Sequence, residues 1–108
     1  MEKGIISLVE EANAINSKVV SVPRLLILVS LENLGLDGAA YRELKAALSM
    51  EDGILYSNLK ALEGMGYLEE ASIRLENKGM ASYHMTGEGR EALDFARAWL
   101  GKIVKRVE

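Results

Sequence analysis

Leu55, Leu59 and Leu62 recur at i, i+4 and i+7 and form one apolar stripe of helical period in the middle of the chain. Ser49-x-x-Asp52 ahead of them is a helix-start signature, in which each end satisfies a free N–H of the first turn. Gly64 and Gly66 close the segment, so the pattern predicts a helix over about 52–65. Tyr67 to Arg74 and Gly79 to Met85 then read as two strands. They are joined by Leu75-Glu76-Asn77-Lys78, with Gly79 free to take a positive φ. Upstream, residues 2–15 put Ile5, Leu8, Ala12 and Ile15 on one helical face, widened by Ile6 and Val9. Asn16 to Ser21 is a polar break. Ser21 as N-cap and Pro23 in the first turn open a second helix, whose body from Leu25 to Leu34 is apolar on nearly every side and stops at Gly35. That composition predicts a central helix covered on both sides. Leu36-Asp37-Gly38 is a turn by residue type, and Tyr41, Leu44 and Leu48 space a short helix over about 39–48. Thr86 is placed to cap a last helix from Gly87 to about Lys105, with Leu93, Ala96, Leu100, Val104 and Val107 on one side and Trp99 and Ile103 beside them.

Two short helices joined by three or four residues and followed by a hairpin have the layout of a winged helix-turn-helix. The expected fold is mainly α with a small β-hairpin (α+β). It forms a single domain over 1–108: an N-terminal helix at 2–15, a helix-turn-helix core with its wing at 21–86, and a C-terminal helix at 87–105. The faces of the two terminal helices are broader than one small core needs. Ile5, Leu8, Ala12, Leu93, Ala96, Trp99, Leu100, Ile103 and Val104 are therefore the expected interface of a homodimer. The alternative is packing of the last helix over the first within one chain.

The absence of cysteine removes disulfides, thiol catalysis and Cys-ligated zinc, and His84 is the sole histidine. No metal and no cofactor is expected. Met1 is followed by Glu2-Lys3 and a helix of mixed polarity, unlike a signal peptide, and no run approaches the roughly 18 to 20 apolar residues that span a bilayer. The expected location is cytoplasmic, with no membrane partner. An enzyme is not expected either. Glu69 and Glu70 are adjacent in a strand and point to opposite faces, so they do not converge on one substrate. His84 has no evident acidic or nucleophilic partner and fits a half-buried hairpin position. Gly64-Met65-Gly66 ends a helix instead of starting one, the reverse of what anion binding needs.

Asp52-Gly53-x-Leu55-x-Ser57-x-Leu59-Lys60-x-Leu62-Glu63-x-x-Gly66-Tyr67 resembles the third helix and first strand of the MarR/ArsR-like winged helix transcriptional regulators, in particular the small single-domain archaeal-type group. Met85-Thr86-Gly87-Glu88-Gly89-Arg90-Glu91-Ala92-Leu93 resembles the same group's junction from wing to last helix, at a fitting distance. The likeness covers about residues 20 to 100. It implies a homodimer that binds double-stranded DNA, with the third helix in the major groove and the wing tip near the backbone or minor groove. Some members sense a small molecule, but the resemblance assigns no effector here.

With the leucine stripe turned inward, 100° per residue puts Gly53, Ser57, Lys60 and Gly64 on the outer face, with Tyr56 on one flank beside Glu63. Tyr56 and Ser57 are the candidates for base contact, and Lys60 for a phosphate or guanine. Arg42 and Lys45 in the preceding helix and Arg74 and Lys78 in the wing complete the candidate set. Gly53 either permits close backbone approach or is a tolerated glycine costing about 1 kcal/mol of helix propensity. Family members often carry Arg or Gln in this helix and several arginines in the wing, which this chain lacks. The net charge is −3, and from 40 to 86 those four cations and Lys60 face Glu43, Glu51, Asp52, Glu63, Glu69, Glu70 and Glu76. DNA affinity rests largely on phosphate neutralisation, so this balance leaves two readings. One is a dimeric regulator; the other is a winged helix protein-interaction module whose acidic face meets a basic partner.

Overall fold

The structure is a computed structural model that describes residues 2–15, 17–34, 38–75 and 78–107; residues 2, 3, 17, 73–75, 78, 106 and 107 are described by their backbone only. The elements run α1 (Glu2–Ala14), a 3-10 turn (Ser17–Val19), α2 (Val22–Leu34), β1 (Ala39–Ala40), α3 (Tyr41–Leu48), α4 (Asp52–Gly64), β2 (Leu68–Leu75), β3 (Lys78–Met85) and α5 (Gly87–Val107). The three strands form one antiparallel sheet in the order β1-β3-β2. The result is mostly helical with a small sheet, a winged helix fold.

The core explains this arrangement. Leu55, Leu59 and Leu62 of α4 are wholly buried, together with Ile27 and Leu28 of α2, Leu44 of α3 and Leu93 and Ala96 of α5. Removing one such leucine side chain typically costs about 2–5 kcal/mol. α2 is central, packing on α3, α4, α5 and β3, and Ser21 caps its start by accepting from the N–H of Arg24 at 3.3 Å. It is not covered all round, however: Val22, Leu26 and Leu34 are exposed in the single chain.

Local chemistry corrects three of the expected boundaries. Ser49 does not start α4; it ends α3 in the left-handed region at φ 53°, and the extended residue Glu51 is the N-cap of α4, with no side-chain capping bond. Ala39 and Ala40 belong not to α3 but to β1, pairing with Tyr83 and Ser82 of β3. Gly38, at φ +73°, lets the chain enter that strand, since a Cβ there would meet the Tyr83 carbonyl oxygen at 2.4 Å. The Glu43 carboxylate then accepts from the N–H of Ala40 at 2.8 Å and anchors the start of α3. The hairpin strands also run closer to the tip than expected, with Leu75 opposite Lys78. The turn expected at Leu36-Asp37 lies outside the described residues, as do Glu76 and Asn77.

The join between wing and last helix is a small knot of backbone. α4 ends in a 6→1 bond from Tyr67 N to Leu62 O at 3.0 Å and a bond from Gly66 N to Glu63 O at 2.9 Å, with Gly66 left-handed at φ +82°. Thr86 Oγ1 accepts from Gly89 N at 3.0 Å and donates to Gly66 O at 2.7 Å. Thr86 N also donates to Tyr67 O at 3.0 Å. One threonine therefore caps α5 and ties it to the end of α4. Gly89 sits so close that a Cβ would meet Tyr67 O at 2.3 Å.

From this knot α5 crosses α2 through Leu93 and Ala96 and carries a charged staple. Glu32 of α2 receives Arg90 at 3.0 Å and Arg97 at 2.8 Å. Arg97 holds the Glu32 carboxyl below the usual carboxylate range, and Arg97 itself is shifted upward by Glu32 and Asp94. Farther along, Trp99 Nε1 donates to the carbonyl of Leu8 in α1 at 2.9 Å, and Lys102 pairs with Glu11. The α1–α5 pair makes the molecule long, at 60 × 24 × 23 Å. Its radius of gyration is 15.9 Å, against about 13 Å for a compact chain of this size.

Gly89→Ala should lower stability by about 2 kcal/mol or more, whereas Gly87→Ala, where a Cβ meets nothing within 4 Å, should be neutral or stabilising by about 0.5 kcal/mol; thermal melts of both variants check this. Because the folded-state pKa of Glu32 is depressed, its contribution is present above its unfolded pKa and lost as pH falls through the folded one. The melting-temperature deficit of Glu32→Gln should therefore be largest near neutral pH and shrink in acid, measured by melts across a pH series.

Candidate nucleic-acid interface

Burial of the leucine stripe fixes the rotation of α4. Gly53, Ile54, Tyr56, Ser57, Lys60 and Gly64 consequently face solvent. Tyr56 is 54% exposed and Ile54 46%. A Cβ at Gly53 or Gly64 would meet nothing within 4 Å, so the middle of this face is low and smooth around Ser57. Ser57 turns its hydroxyl back onto the carbonyl of Ile54 at 3.3 Å. The predicted outer face is thus present, with one addition. Ile54 was not among the expected site residues, although its place off the leucine stripe was legible as a sequence signal.

The cations are not equally available. Lys60 Nζ lies 3.2 Å from Glu63 Oε1 and 3.2 Å from Glu70 Oε1, and 5.4 Å from the centre of the Tyr56 ring. Those two carboxylates shift the Lys60 ammonium upward, so it stays charged while occupied. Tyr83, buried beneath, has its phenol raised by burial first and by the charge of Glu70 next. Lys45 pairs with Asp52 at 3.0 Å, and Tyr41 donates to Asp52 Oδ1 at 3.0 Å. Lys45 first and Tyr41 second hold the Asp52 carboxyl below its usual range. Tyr41 is itself raised by burial and then by that carboxylate. Such solvent-exposed pairs contribute little in water, so a phosphate can displace them. Arg42 is exposed and makes no ion pair among the described residues. The side chains of Arg74 and Lys78 lie outside the described residues, their backbones being paired with Gly79 and Leu75 on β3 and β2.

Beneath the face sits a rivet that sequence reading missed. Asn58 is half-buried and bonded at both ends of its amide: Oδ1 accepts from Arg24 Nε at 2.9 Å, and Nδ2 donates to Ile54 O at 2.8 Å. Arg24 Nη1 also donates to Lys18 O at 2.6 Å. The sequence placed both residues on helices but held no sign of this contact, 34 residues apart. His84 is half-buried on β3, with Nε2 3.4 Å from Ser82 Oγ.

The expected interface residues divide. Leu93 and Ala96 are 1% and 0% exposed within one chain, so they belong to the core in which α5 packs on α2. Leu8, Ala12, Trp99, Leu100 and Ile103 are half-buried on the two terminal helices, and Trp99 is bonded to Leu8. Ile5 and Val104 are exposed, as are Ile6, Val9 and Phe95, which were outside the expected set. Hollows of about 330 and 270 Å³ border Ile15, the first with Tyr67 and Phe95, the second with Val20 and Trp99. No helix among the described residues is long and apolar enough to cross a membrane.

Comparison with known proteins agrees with this geometry. A PadR family transcriptional regulator from Eggerthella lenta superposes with a TM-score of 0.66 at 25% identity, over 84% of this chain and 86% of that one. A PadR-like transcription factor from Bacteroides fragilis gives a TM-score of 0.66 at 19% identity, over 85% and 95% of the two chains. The transcriptional regulator ytfH from Salmonella typhimurium gives 0.64 at 24% identity, over 82% and 77%. No curated protein sequence matches the chain. A family model described as a winged helix DNA-binding domain matches residues 23–104, from the start of α2 through most of α5, and the chain belongs to that family.

Proposed function

We propose that the protein is a sequence-specific transcriptional regulator that binds double-stranded DNA as a homodimer, with α4 in the major groove and the β2–β3 hairpin as wing. The observation that carries this reading is the outer face of α4. It is the second helix of a helix-turn-helix pair, held rigidly from below by three buried leucines and open from above. Arg42 is the ready phosphate contact, and Lys45 and Lys60 become contacts once phosphates take them from Asp52, Glu63 and Glu70. Arg74 and Lys78 would serve the wing. The solved regulators of the same shape favour this role, and a cytoplasmic location goes with it. Within the winged helix family, the two motifs favour the small single-domain MarR/ArsR-like group, and the structural likeness extends that kinship toward PadR-type regulators.

The second copy would cover the exposed apolar side chains of the arm: Ile5, Ile6 and Val9 on α1, and Val104 on α5. In such a dimer the two α4 helices would read half-sites one DNA turn apart, about 34–36 Å. A second reading is favoured by the carboxylates around Lys60, namely an interaction module whose Glu69 and Glu70 meet a basic protein. Its mark would be a co-purifying partner lost on charge reversal at those two positions.

Anisotropy titration against DNA from upstream of the protein's own coding sequence should show log affinity falling linearly with log salt, at about −0.9 per phosphate neutralised. Lys60→Ala and Lys78→Ala should each weaken binding and flatten the slope by roughly one contact. The absence of any complex at low salt would remove the regulator reading. Glu70→Gln, by freeing Lys60 from one carboxylate, should tighten binding by up to about fivefold; unchanged or weaker affinity would show that Lys60 does not reach phosphate. Light scattering should give the dimer mass, and Val9→Glu with Val104→Glu the monomer mass; a wild-type monomer at high concentration would defeat the dimer.

A further inference from the structure

We infer that α4 reads DNA chiefly through thymine C5-methyl groups, by Ile54 and Tyr56, and not through bidentate hydrogen bonds. This inference rests on the regulator reading above and names the base chemistry that such a face can recognise.

The first ground is elimination. Bidentate readout of guanine or adenine needs Arg, Lys, Asn or Gln presented to the groove. Between Asp52 and Gly64 the only such residues are Asn58 and Lys60. Asn58 has both ends of its amide occupied beneath the face, by Arg24 and by the Ile54 carbonyl. Lys60 is drawn toward the β2 side of α4 by Glu63 and Glu70, which makes it a point charge for phosphate and not an oriented fork. Asp52 is acceptor-only and already engaged by Lys45 and Tyr41. Ser57 is a single hydroxyl, bonded to its own helix.

The second ground is the chemistry left on the face. Ile54 and Tyr56 are the large apolar side chains that α4 exposes, at 46% and 54%. An apolar side chain left in water on a reading helix meets its chemical match in the thymine methyl, the one apolar group on the major-groove edge. The two residues flank the central strip of Gly53, Ser57 and Gly64 on opposite sides. Because nothing lies within 4 Å of a Cβ at either glycine, that strip can sink deep and bring both flanks to the base edges. Two residues of helix advance about 3 Å, close to one base-pair step.

The test uses duplex sites selected by the full chain from a random-sequence pool and measured by anisotropy at fixed salt. Each dT is replaced in turn by dU, which removes the methyl and leaves base pairing and O4 intact. The expected result is a loss of about three- to fivefold at one or two positions per half-site and none elsewhere, the scale of one buried methyl group. Ile54→Ser and Tyr56→Ser, with melting temperatures unchanged, should each erase the loss at one position. If the selected site is bound but full dU replacement changes affinity less than twofold, the inference is overturned while the regulator reading stands. Survival of the methyl dependence in both variants overturns it as well. If no duplex is bound at any salt, both fall together.

Discussion

The face that α4 shows to solvent depends on the burial of one leucine stripe. Leu55, Leu59 and Leu62 are fully enclosed, and rolling α4 by a single residue position would swing them through about 100° and put leucine into water. The stripe therefore fixes which side chains α4 shows. The knot at the C-terminal end of α4 fixes where the wing and α5 lie. Gly66 turns the chain, Thr86 bonds both to Gly66 and to the start of α5, and Gly89 admits the Tyr67 carbonyl. α4, the hairpin and the long α5 are thus referenced to one small cluster of backbone atoms, and α4 cannot shift without disturbing α5.

The sequence carried this framework because its signals are local. Helical period, Pro23 near the start of α2, glycine after α4 and threonine before α5 each act within a few residues of where they stand. Where it misled, two local signals competed or a distant one decided. Ser49 and Asp52 have capping-box spacing, but the turn between α3 and α4 needed a left-handed residue, and Ser49 supplied it. Ala39 and Ala40 have good helix propensity, yet the open edge of β3 recruited them into a strand. No periodicity within 39–48 reports an edge that forms far downstream, at Ser82 and Tyr83.

The same distinction governs the candidate site. The outward face of α4 was legible because it is the complement of the leucine stripe. The condition of its charges was not. That Lys60 is shared by Glu63 and Glu70, that Lys45 is held by Asp52, and that Asn58 is consumed by Arg24 are tertiary facts. The terminal helices show the reverse error. Their breadth of apolar surface is real, but pattern alone could not divide it, and Leu93 and Ala96 proved to be core while Val9 and Val104 stayed in water.

An acidic chain with a DNA-binding fold looks contradictory only if affinity is taken as the measure of function. Cations that neutralise phosphate strengthen binding to every sequence alike, whereas a regulator works by the ratio of specific to non-specific affinity. Under the proposed reading, surrounding Lys60 and Lys45 with carboxylates would lower the sequence-independent part. Each lysine would leave a partner at 3.0–3.2 Å to reach DNA, and a loosely fitted duplex would return nothing for that exchange. Apolar contacts from Ile54 and Tyr56, as inferred above, would exchange no ion pair for a phosphate and would vanish when the helix is out of register with its bases. On such a face, net negative charge and sequence discrimination are compatible: under the proposed reading the carboxylates would weaken what is common to all DNA and leave the base-dependent contacts to decide.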